Sequence, residues 1–248
     1  KGFMEFGNNL YLYGNSIICP PIEIIESGNE SLKNYYKALE SGSEKIDELK
    51  IIFVGEGSSG KTSLIKRFID NSFDKDESQT HGINIRNYDK NGITLHFWDF
   101  GGQDIMHSTH QFFLSKRCIY VLVLDNRKDE QPEYWLKMIR SFGGDVPIFI
   151  ILNKIDQHPN FELNYKALNE KYSKIVGYYK MSCIDGEGVD NFKENLLKFT
   201  ENDNNDLLLN TPIPTSWAKI KRFFEESKDN HQTDNEFEKI ISENNIPI

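Results

Sequence analysis

Cysteine is scarce in these 248 residues: Cys19, Cys118 and Cys183 are an odd number, widely separated, with no CxxC pair. That pattern argues against a disulfide framework and a cysteine-based zinc site, and it predicts a reducing, cytoplasmic setting. Long apolar runs are missing as well. No stretch approaches the roughly 20 residues that a membrane-spanning helix needs, so the sequence carries no direct membrane signal. A basic excess is also lacking, with 29 Lys plus Arg against 38 Asp plus Glu and a net charge of −9. This balance disfavours nucleic acid or an anionic membrane as the main partner. It does not exclude one phosphorylated small molecule, because local lysines and backbone N–H groups decide that. The chain opens on Lys1 instead of Met, which predicts a soluble piece of a longer protein.

What is present divides into three stretches, expected at 1–47, 48–202 and 203–248. In the first, Leu10-Tyr11-Leu12-Tyr13-Gly14-Asn15 fits an LxLxxN pattern. Pro20-Pro21-Ile22-Glu23-Ile24-Ile25, Gly28 and a helical-looking run over 31–39 follow it. Together they resemble the last repeat and cap of a leucine-rich array, which as a single unit would be the stub of a longer stack. The alternative is a short strand and helix that lean on the main domain. In the middle stretch, near-continuous apolar runs at 51–54, 118–124 and 148–152 predict strands buried on both faces, with a further strand at 177–181. Two alternating runs flank Asp89-Lys90-Asn91-Gly92, whose Asn-Gly predicts a tight hairpin. The expected fold is α/β, a mixed six-stranded sheet flanked by helices. The polar segment 202–206 reads as a linker. Pro212 and Pro214 then open two helical segments, over 216–227 and 233–243, the second with a Thr233/Glu236 capping box.

The chemistry is concentrated in the middle stretch. Gly55-Glu56-Gly57-Ser58-Ser59-Gly60-Lys61-Thr62-Ser63 follows one apolar strand directly and leads into an amphipathic helix. Glycines at those positions let consecutive N–H groups turn inward at a helix N-terminus and hold phosphate oxygens. Lys61 would add a point charge at the β- and γ-phosphates, and the Thr62 hydroxyl a ligand for Mg²⁺.

A phosphate loop does not name a base. Over about 50–200 the chain resembles the Ras-like GTPases, on elements in that family's order. Asp99-Phe100-Gly101-Gly102 matches DxxG, Asn153-Lys154-Ile155-Asp156 matches NKxD, and Ser182-Cys183-Ile184 resembles SAK with Cys for Ala and Ile for Lys. The resemblance implies that Asp99 and Thr80 share Mg²⁺ with Thr62 and that the Gly102 N–H meets the γ-phosphate. Gln103 would orient the attacking water. Asn153, Lys154 and Asp156 would shape a guanine site, Asp156 accepting from N1–H and the 2-amino group, which rejects adenine. Backbone N–H groups of Ser182, Cys183 and Ile184 would meet the guanine O6. Phe73, twelve residues after Lys61, matches the aromatic beside guanine, and Thr80 lies seven further on. His107 and His110 are read as packing residues, since no third metal ligand has suitable spacing.

The flanks narrow the resemblance. The leucine-rich stub, Trp135-Leu136 and Pro212-Ile213-Pro214-Thr215-Ser216-Trp217 resemble Roco proteins, where repeats precede a Roc GTPase and a COR domain follows. That implies a multidomain regulator that hydrolyses GTP to GDP and phosphate with Mg²⁺. The full COR domain would drive homodimerisation, and regulatory proteins would be further partners. Nothing marks Arg86, Arg117, Arg127 or Arg140 as an arginine finger, so hydrolysis is expected to be slow. The other reading is a nucleotide-gated interaction module with negligible hydrolysis; an ATPase conflicts with Asp156.

Overall fold

In the computed structural model the described residues are 20, 24–25, 27–101, 118–125, 132–160, 162–201, 211–226, 239 and 242. In chain order they form α1 (Asn29–Glu40), β1 (Ser43–Ile46), β2 (Glu48–Val54), α2 (Lys61–Asp70), β3 (Ile83–Lys90), β4 (Ile93–Phe100) and β5 (Cys118–Leu124). There follow α3 (Pro132–Gly143), β6 (Ile148–Leu152), α4 (Tyr165–Lys171), β7 (Ile175–Lys180), α5 (Val189–Thr200), β8 (Thr211–Pro214) and α6 (Thr215–Glu226). The chain divides into two units, 47–207 and a second built from 1–46 with 208–248.

Apolar residues in β2, β5 and β6 are continuous because both strand faces are covered, and every residue of β5 and β6 is buried. These strands form the middle of a six-stranded sheet of order β3-β4-β2-β5-β6-β7. All neighbours are parallel except β3 and β4, which pair antiparallel from Ile83↔Phe100 to Lys90↔Ile93. The hairpin turn is Asn91-Gly92, with φ of 52° and 82°. Two successive left-handed residues match the right-handed twist of the paired strands. This is the mixed six-stranded sheet of a Ras-like GTPase fold.

Alternation along each strand sends neighbouring residues to opposite faces. Ile52, Val54, Tyr120, Leu122 and Ile150 join Trp135, Leu136 and Ile139 of α3 in one cluster. On the other face the rings of Phe68 in α2, Phe97 and Phe192 in α5 meet edge-on, Phe68 lying 4.9 Å from Phe97 and 6.0 Å from Phe192. The parallel strands thus end together, and their C-terminal loops are gathered at one edge of the sheet, the usual place for a ligand in such folds.

In the other unit, β1 and β8 pair antiparallel from Ser43↔Pro214 to Ile46↔Thr211. The Tyr35 hydroxyl donates to Pro212 O at 2.6 Å, and its ring lies 5.7 Å from Trp217. The two flanks, read from the sequence as separate stubs, are therefore one unit joined by a strand pair. Pro212 and Pro214 fit a strand because a two-stranded sheet is all edge, where a missing N–H is tolerated. The last strand of the main sheet runs over Ile175–Lys180, starting two residues before its expected position. The leucine-rich pattern at 10–15, the linker at 202–206 and nearly all of the helix expected at 233–243 lie outside the described residues.

Candidate nucleotide-binding site

The loop after β2 turns inward because its backbone occupies conformations that side chains resist. Gly55 has φ 139°, Ser58 62° and Gly60 96°. A Cβ on Gly55 would stand 2.2 Å from Val123 O, and one on Gly60 2.2 Å from Asn153 Nδ2. The helix α2 that follows has no side-chain cap at Gly60, so its first amides face outward with no acceptor inside the helix. Lys61 is buried, and its ammonium donates to Gly55 O and Glu56 O at 2.9 Å each, folding back across the loop.

Three oxygen-bearing side chains converge beside it from three separate segments. Thr62 Oγ1 donates to Asp99 Oδ2 at 2.6 Å and lies 2.8 Å from Thr80 Oγ1, which is itself 3.4 Å from Asp99 Oδ2. Asp99 is 3% exposed, and its Oδ1 is buried with no hydrogen-bond partner among the described residues. Burial holds the Asp99 carboxyl above its ordinary range, against the pull of the Thr62 hydroxyl and the Lys61 ammonium. A buried carboxylate with an unsatisfied oxygen beside two hydroxyls is a hard-oxygen donor set, and it fits Mg²⁺.

The other end of the site is built on the loops after β5, β6 and β7. Asn153 is buried; its Nδ2 donates to Ser59 O at 2.8 Å and its Oδ1 accepts from Cys183 N at 3.3 Å. Lys154 has φ 61°; its ammonium donates to Ser58 O at 2.7 Å and pairs with Asp125 at 2.9 Å. Asp156 is exposed at the rim. Burial pushes the Cys183 thiol up to about 12. Ser182 corrects the expectation that all three N–H groups of its segment face the base. Its N–H donates to Glu187 O at 2.9 Å, while its Oγ accepts from Ile184 N at 3.3 Å, so it braces the loop from behind.

Between these ends lies a cleft of about 360 Å³, within the size range of small-molecule sites. It is lined by Gly57, Ser58, Gly60, Lys61, Thr62 and Ser63, by Phe73 and Thr80, and by Asn153, Lys154, Asp156, Cys183 and Ile184. Gly55, Ser59, Asp99 and Ser182 stand behind this lining. Gly102 and Gln103 lie outside the described residues, as do His107 and His110. Sequence reasoning missed two participants. Asp125, just past the end of β5, is 2% exposed and holds Lys154. Arg67 reaches the carbonyls of Cys183 and Ile184. Neither carried a local signal, since their partners are 29 and more than 100 residues away.

Residues 50–156 match the family described as "Ras of Complex, Roc, domain of DAPkinase". The chain is 28% identical over 252 residues to a probable serine/threonine-protein kinase, pats1, of Dictyostelium discoideum, across 88% of this chain and 8% of that protein. It is 25% identical to a Roc-COR-CHAT protease of Runella zeae, across 98% of this chain and 30% of that one. The chain thus spans under a third of either relative's length. Among solved structures, the RocCORdC part of Methanosarcina barkeri Roco2, determined bound to GDP, superposes with a TM-score of 0.73 at 47% identity, covering 82% of this chain and 63% of that one. The sheet order, the loops at its edge and these relatives agree: the chain belongs to the Roco family, with a Roc domain over its middle.

Proposed function

We propose that the Roc domain binds GTP and GDP with Mg²⁺, hydrolyses GTP slowly to GDP and phosphate, and serves as a regulatory switch in a longer Roco protein. The observation that carries this reading is the cleft itself, lined by Lys61 and the inward-turned loop together with Asp156, Cys183 and Ile184. A cation-lined cradle suits phosphates, and a rim carboxylate suits the adjacent N1–H and 2-amino donors of guanine, which adenine cannot present.

Thr62, Thr80 and Asp99 would hold Mg²⁺, which when bound would neutralise charge on phosphate oxygens. The chain's own part is positioning. The glycine-rich loop and Lys61 hold the phosphates, and Asn153 locks Ser59 O so that the loop keeps its shape. Gln103 is assigned to orient the attacking water. The water oxygen bonds to the γ-phosphorus as the bridging P–O bond breaks. GDP leaves with that electron pair, and the water proton ends on the released phosphate. Among the described residues no arginine lines the cleft, which supports a low intrinsic rate unless a partner supplies one.

Fluorescent GDP titrated with and without EDTA, and competed with ATP, tests the base and the metal. Tight binding that EDTA weakens and ATP does not displace is expected; equal competition by ATP would sink the guanine assignment. Gln103→Leu is expected to lower single-turnover hydrolysis with little change in GDP affinity. An unchanged rate removes Gln103 from its role.

A second reading, a nucleotide-gated interaction module with incidental hydrolysis, is favoured by one observation. Thr80 hydrogen-bonds at the metal-ligand cluster and Gly82 O accepts from Gly101 N at 3.0 Å. The γ-phosphate would therefore bear on the segment before β3 and on the end of β4 together. Dimer or partner affinity that differs between GDP and a non-hydrolysable GTP analogue, with hydrolysis undetectable, would favour this module over the enzyme. COR-driven homodimerisation belongs to the same proposal for the parent protein.

A further inference from the structure

Arg67 lies six residues after Lys61, in the last turn of α2. A basic residue there suits the helix C-terminus, and Nη1 does donate to Asn71 O at 3.1 Å, capping the helix. The rest of the guanidinium serves another part of the chain. Nε donates to Cys183 O at 2.7 Å and Nη2 to Ile184 O at 2.5 Å. The guanidinium carbon also stands 5.6 Å from the centre of the Phe73 ring. One planar fork thus grips two consecutive carbonyls of the loop after β7 and one aromatic ring of the loop after α2. Phe73, Cys183 and Ile184 all line the cleft.

The consequence follows from peptide geometry. A carbonyl and the N–H of the next residue share one rigid plane and point opposite ways. Holding Cys183 O therefore orients the Ile184 N–H, and holding Ile184 O orients the Asp185 N–H, both away from Arg67. Among the described residues the Ile184 N–H otherwise reaches only Ser182 Oγ at 3.3 Å, a long bond that a better acceptor can replace.

We infer that Arg67 is a positioning residue for guanine: it fixes the loop of Cys183 and Ile184 so that backbone N–H groups meet the base's 6-oxygen. This rests on the guanine reading proposed above. Lysine cannot replace it fully, because an ammonium lacks the fork that spans two adjacent carbonyls.

The test measures dissociation rates of two ribose-labelled nucleoside diphosphates, GDP and its 2-aminopurine counterpart without the 6-oxygen. Wild type, Arg67→Ala and Arg67→Lys are compared in the full chain. Arg67→Ala is expected to release GDP roughly tenfold to a hundredfold faster, as suits the loss of charge-assisted hydrogen bonds. Release of the 2-aminopurine nucleotide should change by less than about threefold, since it never used those N–H groups. Arg67→Lys should fall between, and it carries the same comparison if Arg67→Ala does not fold. GDP bound by wild type but released at an unchanged rate by the variants overturns the inference alone, as does equal acceleration of both nucleotides. Failure of wild type to bind GDP removes the guanine reading and this inference with it.

Discussion

Two glycines with left-handed backbone separate strain from collision. Gly92 has φ 82° and open space where a Cβ would go, so Gly92→Ala is expected to cost about 1 kcal/mol in urea unfolding and to leave nucleotide affinity alone. Gly60 has φ 96°, and its Cβ would stand 2.2 Å from an Asn153 amide that two hydrogen bonds hold in place. Gly60→Ala is therefore expected to cost roughly 2 kcal/mol or more and to abolish GDP binding in the same titration. Retained GDP affinity in Gly60→Ala would show that the loop can open without loss. Cys183 supplies a pH signature. Its thiol ionises near 9.0 when unfolded and at about 12 when folded, so the folded state holds the extra proton between those values. Stability must then fall as pH rises above about 9, and Cys183→Ser should flatten that decline in urea melts at pH 8 and pH 10. At the residue scale the phosphate loop was readable because nine contiguous residues, 55–63, set its backbone. The Asp125–Lys154 pair and the Arg67 grip were not, because each joins residues on different elements.

The elements differ in how much of each is covered, and their stability should follow. β5 and β6 are buried along their whole length, whereas β3 is an edge strand with most of its residues at least partly exposed. Native-state hydrogen exchange is expected to be slowest in β5 and β6 and fastest, among the sheet's strands, in β3. The short helix α4 depends on its cap. Asn164 Oδ1 accepts from Ala167 N at 3.1 Å, and Asn164→Ala should lower the urea midpoint by an amount equivalent to about 1 kcal/mol. A loss too small to measure would mean that packing of Leu168 and Tyr172 holds the helix without the cap. Helix and strand placement in the main sheet was legible wherever apolar periodicity ran for a full element, as in 118–124. It was poor for β1, Ser43-Glu44-Lys45-Ile46, whose side chains carry no strand-like alternation and whose partner strand contains two prolines.

On the scale of the whole molecule, residues 47–207 hold the complete six-stranded sheet and every described residue that lines the cleft. A fragment of those residues is expected to unfold cooperatively and to bind GDP within about threefold of the full chain. A larger loss would assign the flanking unit a part in binding. The flanking unit should behave oppositely: deleting 208–248 removes β8 and α6, and with them the partners of Tyr35, so α1 should lose its helical signal.

The division between what the residues announced and what folding added is one of distance along the chain. The glycine-rich pattern at 55–63 and the Asn153-Lys154-Ile155-Asp156 motif were visible because the chemistry proposed for them needs particular residue types at short, fixed spacing. The convergence of Thr62, Thr80 and Asp99, the hold of Arg67 on a loop 116 residues away and the pairing of β1 with β8 had to await the tertiary structure. In those cases the contact is selected by the whole sheet's strand order, and no local pattern of side chains encodes it.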